Sequence, residues 1–464
     1  MKKIVFLLLM FTGLIASAQF GPQQIISTSD EGPYYAIPVD VDSDGFIDVL
    51  SASNNDYSIE WFRNLDGLGN FGPKNVINDS SGWVLSMEWT DVDGDGDNDI
   101  LYLRNNPEEI AWLENQDGQG TFSSEQLLDY SVSGSILNIQ AIDLDDDGDL
   151  DIVSTVLESV FEHIVWFENV GDGSLSAANY IAIEFFMLGG LTLADIDNDG
   201  WKDIVVSDNN NDPAARIIWF KNQGDTTFAE AQPIYQFQML RSDWTQVEEI
   251  QYEDFNSDGK KDLFIVGRNA DIGDSVSWLE NLDNLGAFGE LHSIDSFPGG
   301  YTIGDIDNDN DQDLLVRYRT FDEIIWLENE NGLGTFDTER FVTTEVDFPR
   351  DAQLADFNGD GLLDVVSAST GDGKLAWYEN TGVFNVTESS IAPMLLYPNP
   401  AKSNITVTTQ ETPTKIIVYN LMGQSVAVFK NTRTVDVSLL SQGNYLLTIE
   451  GPSGDRTVHR MIKE

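Results

Sequence analysis

Asp40, Asp42, Asp44 and Asp48 place four carboxylates within nine residues, around a single Gly45. Carboxylates at positions 1, 3, 5 and 9 of a tight turn can converge on one point, and a backbone carbonyl near position 7 can add a further oxygen. Hard oxygens gathered this way suit a divalent cation, above all calcium, which takes roughly six to eight of them in a flexible shell. The spacing returns as Asp91, Asp93, Asp95 and Asp99, as Asp143, Asp145, Asp147 and Asp151, and as Asp195, Asp197, Asp199 and Asp203. It returns again as Asp254, Asn256, Asp258 and Asp262, as Asp305, Asp307, Asp309 and Asp313, and as Asp356, Asn358, Asp360 and Asp364. Asn256 and Asn358, the two departures from Asp, still offer an oxygen.

Position 6 is Gly45, Gly96, Gly148, Gly200, Gly259 and Gly361, with Asn310 in the sixth copy. These are the residue types that enter the left-handed backbone region most cheaply. An EF-hand would require Glu at position 12, where this chain has Ser51, Tyr102, Ser154, Val206, Ile265, Val316 and Ser367. Magnesium holds its waters and demands a stricter octahedron. Asp and Gly favour turns even without an ion, but four spacings kept through seven copies argue for a ligand set. The expectation is about seven Ca2+ sites.

Something must position seven such loops. Their first residues are 51, 52, 52, 59, 51 and 51 apart, the signature of one supersecondary unit repeated. Each loop is followed by a β-branched run ending in Trp-x-x-Asn, at Trp61, Trp112, Trp166, Trp219, Trp278, Trp326 and Trp377. A Gly-rich turn closing on Phe follows, as in Gly69-Asn70-Phe71-Gly72. Read at period two, each unit holds four short strands, the size of a propeller blade. A Trp at one fixed position in every unit reads as packing between sheets rather than as a sugar platform. The last unit lacks a fourth strand after Asn380, while Phe20-Gly21-Pro22-Gln23-Gln24-Ile25-Ile26 copies Phe71-Gly72-Pro73-Lys74-Asn75-Val76-Ile77. The N-terminal stretch is therefore expected to close the last blade and cover its edge.

With 79 acidic and 24 basic residues the formal charge is -55, which opposes nucleic acid and anionic membrane surfaces as partners. There is no cysteine and only His163, His292 and His459, so thiolate zinc sites are excluded and each histidine stands isolated. Lys2 and Lys3, an apolar run to Ile15 and Ala16-Ser17-Ala18 read as a signal peptide over residues 1–18. No stretch approaches the length of a transmembrane segment.

The loop and its unit resemble the FG-GAP/VCBS repeats, similar to those of integrin α-subunit propellers. The resemblance implies an all-β, seven-bladed propeller over residues 19–381. It also implies calcium between each blade's first and second strands, and ligands on the opposite face. After a linker (382–393), residues 394–464 resemble the type A C-terminal sorting domain of type IX secretion cargo. They do so through Tyr397-Pro398-Asn399-Pro400, Val418-Tyr419-Asn420-Leu421-Met422-Gly423-Gln424 and Leu440-Ser441-Gln442-Gly443-Asn444-Tyr445. The composition turns from acidic to slightly basic there, and alternating strands suggest a small C-terminal β-sandwich. The resemblance implies the type IX secretion machinery as a partner and a secreted or cell-surface location.

On the face opposite the acidic loops, Arg104, Arg268, Arg317 and Arg319 fall near the same end of the second strand. Tyr318, Trp244, Tyr34 and Tyr35 could add aromatic surface. Guanidinium pairs with carboxylate or sulfate in a fork, so an anionic glycan or acidic protein segment would suit them. The functional expectation is a non-catalytic adhesion or binding protein for polysaccharide or a surface protein. The alternative is a secreted lyase or glycosidase, since paired carboxylates can act without histidine.

Overall fold

The computed structural model describes residues 19–463 except 29–31, 106, 129, 131, 170–173, 210–214, 225–226, 238–245, 270–272, 296–299, 320, 331, 337, 383–394, 398–400, 409–411, 420–424 and 451–455. The signal-peptide reading, residues 383–393 of the proposed linker, and Trp244 lie outside the described residues. Every regular element among the described residues is a strand. The chain divides into two compact units, Met1–Gly382 and Val383–Glu464.

The first unit holds seven antiparallel sheets in sequence order. The first blade shows the pattern: Pro33–Val39 runs into the acidic loop, Asp48–Ser53 leaves it, Ser58–Phe62 carries Trp61, and Asn75–Asn78 is outermost. The second blade's last strand shrinks to Gln126–Leu127. In the third blade the first strand breaks into Ser135–Ile136 and Gln140–Ile142, and across the gap Asn138 accepts from the Ser154 hydroxyl with its backbone oxygen (2.7 Å) and from the Thr155 N–H with its side-chain oxygen (3.0 Å). The seventh blade is completed by Gln24–Ser27, which pairs with Lys374–Tyr378.

Strict period-two reading fails for the second strands. Asp48–Ser53, Asp203–Asp208 and Asp364–Ser369 are buried at every residue. Both faces of a blade are covered by its neighbours, so these strands are apolar runs bounded by buried Asp and Ser rather than alternating ones. Seven apolar seams result, one between each pair of adjacent blades. The last joins Ala36, Val49 and Phe62 of the first blade to Val366, Leu375 and Trp377 of the seventh, which closes the ring.

The seven repeated tryptophans are all at most 8 % exposed. Four of them slide under the Gly-rich turn of the following blade. A Cβ on Gly69 would stand 2.1 Å from Cζ2 of Trp377, and Gly120, Gly286 and Gly334 meet Trp61, Trp219 and Trp278 in the same way. Gly69 also has φ +75°. Gly69→Ala is expected to cost about 2–4 kcal/mol, from the clash and the unfavourable backbone together. Urea melts with an unchanged midpoint would show that this packing does not hold blades seven and one together.

The second unit contains a three-stranded sheet (Leu395–Tyr397, Asn404–Thr408, Thr434–Asp436) and a four-stranded sheet. The latter orders Ser425–Lys430, Lys415–Tyr419, Gly443–Glu450 and Arg456–Lys463. Ile405, Val407, Ile416, Val418, Leu447 and Met461 share one buried cluster.

Candidate metal centres and ligand face

Each acidic loop is organised by its own carboxylates. The position-1 aspartate caps the turn: Asp40 accepts from the backbone N–H of Asp44 (3.1 Å) and Gly45 (2.9 Å), and Asp305 from those of Asp309 (2.9 Å) and Asn310 (3.0 Å). Position 5 accepts from the N–H of position 7, as Phe46 donates to Asp44 (3.0 Å). Position 6 has φ between +76° and +99° in all seven loops, and a Cβ on the six glycines meets nothing within 4 Å. The constraint there is conformational rather than steric, which is why Asn310 can take the place of Gly.

Position 9 is fully buried. Asp48 accepts from the N–H of Val41 (3.2 Å) with one oxygen and from that of Asn64 (2.7 Å) with the other. All seven blades repeat this pair. Burial pushes these carboxyls up, to about 7 for Asp48, Asp99, Asp151 and Asp364, about 6 for Asp203 and Asp262, and about 8 for Asp313. Backbone donors oppose the shift and the other loop carboxylates add to it.

Position 3 is different. Oδ1 of Asp42, Asp145, Asp197 and Asp307 is buried with no hydrogen-bond partner. A buried carboxylate oxygen left unsatisfied is costly, and a cation is the group that would satisfy it. Carboxylate oxygens of Asp40, Asp42 and Asp48 lie within 4.8 Å of one another. So do those of Asp91, Asp93 and Asp99, of Asp143, Asp145 and Asp147, of Asp195, Asp197 and Asp199, and of Asp305, Asp307 and Asp313. Several aspartate clusters could therefore hold metal ions. In the fifth and seventh loops, where Asn256 and Asn358 occupy position 3, no such trio of carboxylates is found among the described residues. The donor set is all oxygen, as a hard cation requires.

The opposite face differs from its sequence expectation. Arg104 is held by Glu109 and Glu125 (2.9 Å to the latter), and Arg317 lies 3.7 Å from Asp351; both side chains are largely buried. Their forks already face carboxylates of the chain. Tyr318 is only 6 % exposed and packs in the core between blades five and six, so it is not surface. Arg319 has an interaction partner within the chain, and Arg268 sits in the strand Asp262–Asn269 with its side chain outside the described set.

A different group gathers at the heads of the first strands of blades seven, one and two. The Arg350 guanidinium lies 4.0 Å from the Tyr34 ring centroid and 5.6 Å from that of Phe348. Tyr34 meets Tyr35 at 5.4 Å and Trp83 edge-on at 6.4 Å. Trp83 and Phe348 are 44 % and 42 % exposed. Phe348 has φ +53° and the exposed Tyr57 φ +60°, strained conformations for bulky side chains.

A family model described as FG-GAP-like repeat matches residues 40–102, 91–154, 305–367 and 356–407, and one described as secretion system C-terminal sorting domain matches residues 395–464. The chain carries FG-GAP-like repeats. Its sorting tail marks this FG-GAP-like propeller for type IX secretion, and so for the cell exterior or surface. No curated protein matches. Among solved structures it is similar to a catalytically inactive virginiamycin B lyase from Staphylococcus aureus bound to quinupristin. That likeness is 14 % identical with TM-score 0.47, covering 77 % of this chain and 99 % of that one. It is also similar to the extracellular domain of a hybrid two component system from B. thetaiotaomicron (12 % identical, TM-score 0.48, covering 96 % of this chain and 60 % of that one). Among the described residues no helix is long and apolar enough to cross a membrane.

Two parts of the FG-GAP-like repeat were missed in the sequence. The Asn of Trp-x-x-Asn is a clamp between blades: Nδ2 of Asn64, Asn115, Asn169, Asn222, Asn329 and Asn380 donates to the backbone oxygen of Phe357, Val41, Val92, Leu144, Phe255 and Ile306 in the preceding blade. Its invariance within the chain was the available signal. Position 4 of each loop is also left-handed, at Ser43, Gly94, Asp146, Asn198, Ser257, Asn308 and Gly359. The clue was that all seven are small or short and polar.

Proposed function

We propose that this is a secreted or cell-surface, calcium-stabilised propeller that binds polysaccharide without acting on it, through the face opposite its acidic loops. The observation that carries the binding reading is the cluster of exposed Trp83 and Phe348 with half-buried Tyr34 and Arg350. Aromatic rings of this kind stack on sugar rings, and a guanidinium among them can pair with an acidic substituent. Backbone strain at Phe348 and Tyr57 fits residues held for contact rather than for packing. Calcium is supported by the all-oxygen loops and by the buried, unsatisfied oxygens at position 3. Asp40, Asp42, Asp44 and Asp48, with their counterparts, would hold the ions, whose part is to fix the loops and the blade ends beneath the binding face.

The test is depletion of the calcium-loaded protein by a panel of acidic and neutral polysaccharides, with new chain ends assayed in parallel. One or more acidic polysaccharides are expected to retain it, and Trp83→Ala to weaken retention by about tenfold, in keeping with the loss of one stacking residue. Retention unaffected by Trp83→Ala and Arg350→Ala would remove the site. New chain ends would make the protein an enzyme.

A further inference from the structure

In blades one to six the residue two places after the repeated Trp lies beside the acidic loop of its own blade. The position holds Glu114, Glu168, Glu280, Glu328 and Glu379 in blades two, three, five, six and seven, but Arg63 in blade one and Lys221 in blade four. The two cations lie in the same place. Arg63 Nε is 2.7 Å from Asp42 Oδ2 and its terminal nitrogen 2.9 Å from Asp44 Oδ2. Lys221 Nζ bonds Asp197 and lies 2.6 Å from Asp199 Oδ2. Each bridges positions 3 and 5, two members of the ligand set. Glutamates instead add negative field: burial and the position-5 aspartate come first in raising Asp93, Asp145 and Asp307, and Glu114, Glu168 and Glu328 add to them.

We infer that the seven loops form two classes of cation site, with those of blades one and four weakened by a built-in cation that bridges positions 3 and 5. This rests on the calcium reading above. Arg63 and Lys221 take the outer oxygens only; Oδ1 of Asp42 and of Asp197 remains buried without a partner. Asp42 as a whole is 8 % exposed. The sites in blades one and four are therefore filled against a positive charge rather than blocked. A unit charge a few ångströms from a divalent ion, partly screened, weakens binding on the order of ten- to a hundredfold.

Other neighbouring charges leave the division intact. Lys260 in blade five makes one described ion pair, with Asp258, and donates to the Asn281 carbonyl (3.0 Å), with Glu280 and Asp262 acting on it as well. Arg340 pairs with Glu328 in blade six without contacting a loop aspartate in any described ion pair. Blades one and four would thus keep an organised loop at calcium levels that empty the other five.

Calcium titration of the full chain by isothermal calorimetry, with stoichiometry read by native mass spectrometry, tests this. The wild type is expected to show five tighter sites and two that fill only at ten- to hundredfold higher calcium. Arg63→Glu with Lys221→Glu is expected to move both into the tight class, and Arg63→Gln with Lys221→Gln to move them part of the way while retaining side-chain length. Seven equivalent sites in the wild type, or an isotherm unchanged in both double variants, would overturn the two-class inference and leave calcium binding standing. No calcium binding at all would overturn both.

Discussion

Excess chelator is expected to lower the melting temperature of the propeller by about 15–20 °C relative to protein in ~10 mM calcium. The magnitude follows from linkage. A site with an affinity of roughly 0.1–1 mM contributes about 1.4–2.7 kcal/mol at that concentration, and five to seven such sites act on one cooperative ring. The physical source is visible in a single loop. Asp307 Oδ1 has no partner, Asp313 is buried with its carboxyl pushed up to about 8, and Asp305 and Asp309 belong to the same loop. Without a cation, folding must bring these like charges together out of water. Differential scanning calorimetry with calcium, with chelator, and with chelator followed by calcium distinguishes this from irreversible damage. A melt unmoved by chelator would mean that the loops are Asp-rich turns and nothing more, a role their internal hydrogen bonds could fill.

The loops and blades were legible because their signal is local and repeated. Position 6 demands a left-handed residue wherever it occurs, and the Trp recurs at one offset from the loop. What stayed hidden depends on partners distant in sequence. The Asn380 side chain donates to Ile306, 74 residues earlier, and nothing in its local sequence names that carbonyl. The arginine face failed for a related reason. Arg104 lies on the expected strand end, but Glu109 and Glu125 arrive there from the third strand and the turn beyond it, and no spacing rule announces their convergence. Tyr318 was placed on the surface beside Arg317, although adjacent strand residues point to opposite faces and, in a second strand, both faces are covered. The cluster at Tyr34, Trp83 and Arg350 joins strand heads from three blades, one of them more than three hundred residues away in the chain.

The same logic makes the ring's closure its most exposed point. Removing residues 19–28 is expected to lower the melting temperature by more than 10 °C, because blade seven would lose its outer strand and its seal against blade six. Phe20 is 4 % exposed and packs with Ile306, Trp326 and Tyr378. Around it the Gly21 N–H donates to Glu379 (2.8 Å), the Thr381 N–H to Gln19 (2.8 Å) and Gln23 Nε2 to the Tyr378 hydroxyl (2.7 Å). Every other blade inherits its fourth strand from its own repeat; this one takes it from the far end of the unit, so unpairing it unfastens first and last blades together. Phe20→Ala alone is expected to cost about 3–5 kcal/mol, the range for an aromatic side chain lost from a core. The point variant matters because a shortened chain can fail simply by aggregating along the bared edge of Lys374–Tyr378. If Phe20→Ala melts like the wild type while the shortened chain aggregates, the N-terminal strand is an edge guard. If both melt early and remain soluble, it is the fastening that holds the propeller shut.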